Sequence, residues 1–170
     1  MKDARLLTAF LVMAMIGCVG AIDVRAEDHR LGGGANYWVT VDDIDADDVD
    51  DNGFSYLASY QYWPSLIGLE LAVEFLPDRF GDDAYAPQAY LLAGSGLYAG
   101  AGVGIVNSDG DFADDPFYAL KAGLNFELLP SLYLDVAAHY RFESTEDLED
   151  EDTEIDSDTV FLGAAVRLGF

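Results

Sequence analysis

The sequence predicts an all-β fold: an eight-stranded antiparallel up-and-down transmembrane β-barrel, preceded by a signal peptide. Three observations carry this expectation. Eight runs of about ten residues, the length a tilted strand needs to cross a bilayer core, follow one another along the chain. Each run has one apolar parity and one polar or small parity. The connectors between runs alternate strictly between tight turns and longer acidic segments.

The first 26 residues stand apart from this pattern. Lys2 and Arg5 give a basic start, Leu6 to Ile22 is apolar, and Val24-Arg25-Ala26 offers small or compact residues where a cleavage site needs them. That order is a secretory signal peptide. A membrane-spanning helix would need about 20 apolar residues and a stop-transfer flank, and Asp23 and Arg25 end the run too soon. Met15-Ile16-Gly17-Cys18 offers a second reading, a lipoprotein box with cleavage before Cys18. Cys18 is the single cysteine, so a chain cleaved after Ala26 has no disulfide and no thiolate metal site.

Loss of residues 1–26 removes three of 8 basic residues and two of 32 acidic ones, leaving 5 against 30 and a net charge of −25. Such a surface cannot displace phosphate counterions, which argues against nucleic acid. Acidity of this order would suit a disordered chain. The mean hydropathy of +0.11 and the 13% aromatic content mean instead that acid and apolar surface are segregated along the chain.

Residues 27–34, with Gly32-Gly33-Gly34, read as a flexible lead-in, and 35–170 as the barrel. The runs are 35–42, 54–63, 66–76, 85–93, 97–106, 117–128, 132–142 and 158–170. In the seventh, Leu132, Leu134, Val136, Ala138, Tyr140 and Phe142 share one parity; Tyr133, Asp135, Ala137, His139 and Arg141 share the other. In the third, Ile67, Leu69, Leu71, Val73 and Phe75 oppose Gly68, Glu70, Ala72 and Glu74. Side chains alternate across a strand, so each run has one wholly apolar face.

A water-soluble barrel would show the same alternation with the apolar side inward. Two features favour the membrane version. The polar parity is rich in small residues such as Gly100, Gly102 and Gly104, which suit a crowded interior. Aromatics also gather near the run ends as two girdles, the mark of a transmembrane barrel. Tyr37, Tyr62, Phe126 and Phe170 are assigned to one rim; Phe54, Tyr56, Phe75, Tyr85, Tyr118, Tyr140 and Phe142 to the other.

Trp63-Pro64-Ser65, Gly94-Ser95-Gly96 and Leu129-Pro130-Ser131 are tight turns of Pro, Gly and Ser. Segments 43–53, 77–84, 107–116 and 143–157 are the longer connectors. Short periplasmic turns and long external loops are the rule for such barrels. The fourth run is the weakest, since Pro87 lacks an N–H and belongs at a strand start or a bulge.

At this point the chain resembles the small porin-like family of eight-stranded outer-membrane barrels, of the OmpA/OmpX and opacity-protein type. The resemblance covers residues 32–170 and is architectural. Its sharpest element is the last run, in which Val166, Leu168 and terminal Phe170 are similar to the signal read by the outer-membrane assembly machinery. The family implies residence in the bacterial outer membrane, contact with its lipid, and insertion by that machinery after periplasmic chaperoning. No appended peptidoglycan-binding domain is expected. One apolar belt serves lipid or a neighbouring protein alike, so the oligomeric state stays open.

The residues with chemical potential fall into two groups. The polar parity places Glu70, Glu74, Lys121, Asn125, Glu127, Asp135, His139, Arg141 and Arg167 inside. Eight strands leave room only for side chains, and isolated buried charges are costly, so a salt-bridged plug is expected. A narrow cation-preferring pore lined by the same groups is the alternative. A lipid-modifying enzyme is the third reading, with Glu127, Asp135 and His139 as acid–base candidates. No serine shares a run with His139 and no nucleophile elbow occurs, so no catalytic residue is assigned, and His139 reads as a paired interior histidine.

The second group is in the acidic segments. Residues 42–53 hold seven aspartates and 143–158 hold ten acids. Asp48, Asp50 and Asn52 match the first half of a calcium-loop pattern. Its closing Glu is missing, since the twelfth position is Ser59. The expectation is no resident cofactor, only loose attraction of Ca²⁺ or Mg²⁺. The function expected is a structural or surface role: membrane integrity, or divalent-cation or surface interaction through the loops.

Overall fold

A computed structural model describes residues 29–40, 52–77, 83–108, 110–113, 115–142 and 159–170. Residues 1–26, expected as a signal peptide, Asp48, Asp50 and most of the acidic connectors lie outside these residues.

The elements are β1 (His29–Thr40), β2 (Asn52–Tyr62), β3 (Ile67–Leu76), β4 (Ala84–Gly94), β5 (Leu97–Gly104), β6 (Asn107–Ser108), β7 (Asp111–Phe112), β8 (Phe117–Leu129), β9 (Leu132–Phe142) and β10 (Thr159–Gly169). The eight long strands each pair antiparallel with their sequence neighbours, and β10 pairs with β1 to close the ring. β6 and β7 form a small hairpin that adds to the start of β4. Closure removes the edges whose backbone groups would be unsatisfied in hydrocarbon.

Exposure follows parity along every long strand. Leu31, Leu91, Leu120, Leu124, Leu162 and Leu168 are among the exposed large apolar side chains. Glu70, Glu74, Lys121, Asp135, Arg141 and Arg167 are all buried. Apolar outside and ionic inside is the reverse of a water-soluble barrel, so this is the surface of a lipid-spanning one.

Residues 29–34, expected as a flexible lead-in, are instead the first half of β1, paired with β2 on one side and β10 on the other. Glycine suits this stretch because the neighbouring strand leaves no room. A Cβ on Gly32 would lie 2.0 Å from the Val166 carbonyl oxygen, and one on Gly34 2.1 Å from that of Ala164. The triple glycine marks close approach rather than looseness.

Starting β1 at His29 also corrects the girdles. Tyr37 lies near the long-loop end, against Phe54 at 5.3 Å between ring centroids. That rim continues through Phe75–Tyr85 at 5.0 Å and Tyr118–Phe142 at 6.1 Å. The short-turn rim holds Tyr62 and Phe170, with His29 stacked on both.

Pro87 sits where β4 changes partner. Gln88 onward pairs with β5, Ala84 and Tyr85 pair with β6, and the Pro87 carbonyl takes the Ile105 N–H at 3.1 Å between them. The strand order therefore absorbs a proline at an irregularity. At the other end, Gly94 turns the chain with φ +132, a conformation L side chains rarely adopt.

The lipid-facing assignment predicts a depth-dependent penalty. Leu124→Arg, in the middle of β8, should lower folding stability in lipid vesicles by about 2–4 kcal/mol, while Leu129→Arg at the short-turn rim should cost no more than about 1 kcal/mol. Urea titrations of refolded protein would measure both; equal costs would place β8 out of hydrocarbon.

Candidate functional site

The lumen holds two ionic layers. In the layer toward the long-loop end, Glu74 on β3 pairs with the Arg141 guanidinium on β9. The Glu74 carboxylate also accepts from Asn36 Nδ2 at 2.6 Å, from Ser55 Oγ, and from Gln88 Nε2 at 3.3 Å. Gln88 Oε1 in turn accepts from Arg141 at 3.2 Å and from the Tyr90 hydroxyl at 2.7 Å. The guanidinium lies between two rings, 4.6 Å from the centroid of Phe117 and 4.1 Å from that of Phe161. Five strands therefore supply the polar groups around one carboxylate–guanidinium pair, and β8 and β10 supply its rings.

The second layer is a chain of four charges. Lys121 Nζ on β8 donates to Glu70 Oε2 at 2.7 Å, and Arg167 Nη2 on β10 donates to Glu70 Oε1 at 2.9 Å. Arg167 Nη1 reaches Asp135 Oδ2 at 2.5 Å, and its Nε donates to Ser59 Oγ at 3.2 Å. Asp135 also accepts from the Tyr98 hydroxyl at 2.8 Å and from Gln61 Nε2 at 3.4 Å. Trp63 Nε1 completes the layer by donating to Gln61 at 3.0 Å. Arg167 thus spends all three guanidinium nitrogens, which makes it the hub.

Three buried acids face three buried bases across these layers, so the lumen is neutral by pairing. Each ion would be costly alone in this setting and is tolerable only with a hydrogen-bonded partner. Trp38, Leu76, Phe117 and Phe161 form the apolar cluster beside the first layer, and Trp63 and Tyr98 join the same core. Trp63 meets Tyr98 edge to face at 5.8 Å.

Two residues expected in the network are placed differently. Glu127 has the inward parity but lies past the lumen at the short-turn mouth, where it is exposed and its Oε1 accepts the Ser131 N–H at 3.3 Å. The register shift between Glu127 and Leu129 and the adjacent turn carry it out of the enclosed part. His139 is buried, but among the described residues neither ring nitrogen has a hydrogen-bond partner; it stacks on Phe161 at 4.7 Å instead of pairing. Glu127, Asp135 and His139 are not brought together as an acid–base set, because Asp135 is held by Arg167 and Tyr98. Asn125 is buried at the mouth, and its side chain joins neither layer.

Val166, Leu168 and Phe170 occupy the outward face of β10 and its end, all exposed. The Phe170 N–H donates to the His29 carbonyl at 2.9 Å, which seats the final residue at the β1–β10 seam. Asn52 is the first residue of β2 and accepts from the Tyr37 hydroxyl at 3.1 Å. Among the described residues no three His, Cys, Asp or Glu side chains gather as a metal would need.

The neutral members of the layers, Asn36, Ser55, Ser59, Gln61, Gln88, Tyr90 and Tyr98, are absent from the sequence-based set. A signal exists, since each shares its run's inward parity with the charged residues.

The sequence matches no protein-family model and no curated relative. Among solved structures, Neisserial surface protein A superposes with a TM-score of 0.63 at 15% identity, over 84% of this chain and 97% of that one. Lower scores come from outer membrane protein AlkL in lipid bilayers, at 0.49 and 15% identity over 89% and 95% of the two chains. The N-terminal barrel domain of Pseudomonas aeruginosa OprF gives 0.45 and 13% over 82% and 97%. At such identities the likeness to the first concerns the fold. The chain has the fold of a small outer-membrane β-barrel.

Breaking one pair should cost far more than removing it whole. Arg141→Met alone leaves Glu74 buried without its cation and should destabilise by about 3–5 kcal/mol. Adding Glu74→Gln should restore most of that loss. A double-mutant cycle of denaturant midpoints in detergent measures both; additive losses would show that the two side chains do not act as a pair.

Proposed function

We propose that this chain serves in the bacterial outer membrane as a closed, non-catalytic barrel that anchors acidic external segments at the cell surface. The observation that carries this reading is the neutral, hydrogen-bonded lumen, in which Arg167 ties Glu70, Asp135 and Ser59 across the barrel. An ion crossing it would have to displace pairs that already satisfy one another, in a cylinder whose width is filled by side chains.

The reading assigns the parts as follows. The exposed apolar face contacts outer-membrane lipid. Val166, Leu168 and Phe170 serve as the recognition strand for the assembly machinery, after delivery by periplasmic chaperones and removal of the leader. The long connectors face outward and carry the acid, where they draw Ca²⁺ or Mg²⁺ loosely and meet the cell's surroundings. His139 and Asp135 serve packing and pairing, with no turnover. The short turns, the start of β1 and the end of β10 face the periplasm.

Planar-bilayer recording of purified, refolded protein tests the closed lumen. No stepwise current should appear with the native chain. Resolved cation-selective steps at native sequence would replace this reading with that of a small pore.

A further inference from the structure

At the short-turn end, below the second ionic layer, lies a cavity of about 340 Å³ lined by Arg30, Trp63, Tyr133, Asn125, Glu127 and Ser95 among others. It shares no charged side chain with either layer, and Trp63 links it to the second layer through Gln61 and Tyr98. Its polar groups are built but unused. Asn125 is nine-tenths buried, at 9% exposure, yet neither its Nδ2 nor its Oδ1 has a hydrogen-bond partner among the described residues. Arg30 makes no ion pair among the described residues, and its buried Nε is likewise without a partner. Unsatisfied buried groups of this kind are rare in folded proteins, and several in one pocket point to something that fills it.

The side chains around them look prepared. The Arg30 guanidinium lies 3.9 Å from the centroid of the Tyr133 ring and 5.9 Å from that of Trp63, so two aromatics hold it in place. Glu127 is fixed at the rim by the Ser131 N–H. The cavity therefore offers a guanidinium and an amide N–H₂ as donors, and an amide oxygen and a carboxylate as acceptors. A guanidinium without a counter-ion takes a carboxylate in a forked geometry. An amide oxygen beside a carboxylate calls for an N–H donor close to that ligand carboxylate. A pure anion would leave Asn125 Oδ1 empty and meet Glu127 unfavourably.

We infer that this periplasmic mouth is a binding site for an α-amino carboxylate, either a free amino acid or the C-terminal residue of a peptide. The carboxylate sits on Arg30 and the Asn125 amide N–H₂; the ammonium or peptide N–H sits on Asn125 Oδ1 and Glu127. The volume suits one residue-sized ligand, near the small end of the roughly 300–1,000 Å³ range of such sites.

The test uses ¹⁵N-labelled full chain refolded in detergent micelles. Of the two tryptophans, Trp63 lines the cavity and Trp38 does not, so their indole N–H signals serve as reporter and internal control. L-alanine, N-acetyl-L-alanine and L-alaninamide are titrated in turn. The expected result is a saturable shift of the Trp63 signal with a carboxylate-bearing ligand and none with the amide. Response to L-alanine alone assigns a free amino acid; response to the acetylated form alone assigns a peptide end. Arg30→Gln and Asn125→Leu should each weaken binding by about tenfold or more, the loss expected for a hydrogen bond to a charged group. Heat-modifiable gel mobility checks that each variant still forms the barrel, and the native-sequence comparison of acid with amide stands even if one does not. No saturable shift with either carboxylate, an equal response to L-alaninamide, or unchanged affinity in both folded variants overturns the site.

Discussion

A carboxylate sealed inside a cylinder of eight strands has no bulk water to fall back on, and the outer wall of this barrel offers it only hydrocarbon. That constraint orders the rest of the structure. Glu70, Glu74 and Asp135 must each find a cation within the lumen, and Lys121, Arg141 and Arg167 are the cations it holds. A single strand cannot supply such pairs, because charges on one strand's inward face are spaced along the barrel axis rather than across it. Three of the four pairs therefore run between strands that are not neighbours in the sheet and need the ring closed before they can form, while Arg167–Asp135 joins the adjacent β9 and β10. Closure and neutrality are one requirement.

This explains which parts of the molecule could be read from the residues. Strand number, alternation and the two kinds of connector are local properties, written in windows of about ten residues. The inward set followed from parity, so Glu70 and Arg167 could be placed inside without knowing their partners. Their pairing could not, since Arg167 and Glu70 are 97 positions apart and Lys121 and Glu70 are 51 apart. Parity gives a side chain's face; only shear and register give its height in the barrel. Glu127 shows the difference: its face is inward, but a bulge and the nearby turn place it at the mouth.

The start of β1 misled for a different reason. Three consecutive glycines lower β propensity and look like a linker, yet in a narrow barrel small residues are what let opposite walls and crossing side chains fit. Arg167 lies directly across from Gly32 in the β1–β10 register, where even a methyl group on the glycine would collide with it. The hub cation of the lumen thus depends on a residue chosen for having no side chain. Moving β1 six residues earlier also moved Tyr37 from one rim to the other, so a single boundary accounts for both departures. His139 departs because stacking on Phe161 uses its ring face, a contact that burial and parity do not distinguish from a hydrogen bond.

Charge bookkeeping then separates the inside of the molecule from the outside. The whole chain carries 32 acids and 8 bases, a formal net charge of −24. Taking away the three acids and three bases of the two layers leaves that imbalance untouched, so the layers contribute none of it. Within the layers, each charge is fixed by a partner, and changing one is a folding problem. A charge on a solvated surface is screened by salt instead, so gaining or losing one there costs a fold little. The excess acid is therefore no part of what holds the two layers together. A lumen neutral by pairing keeps the stability of the two layers independent of that excess.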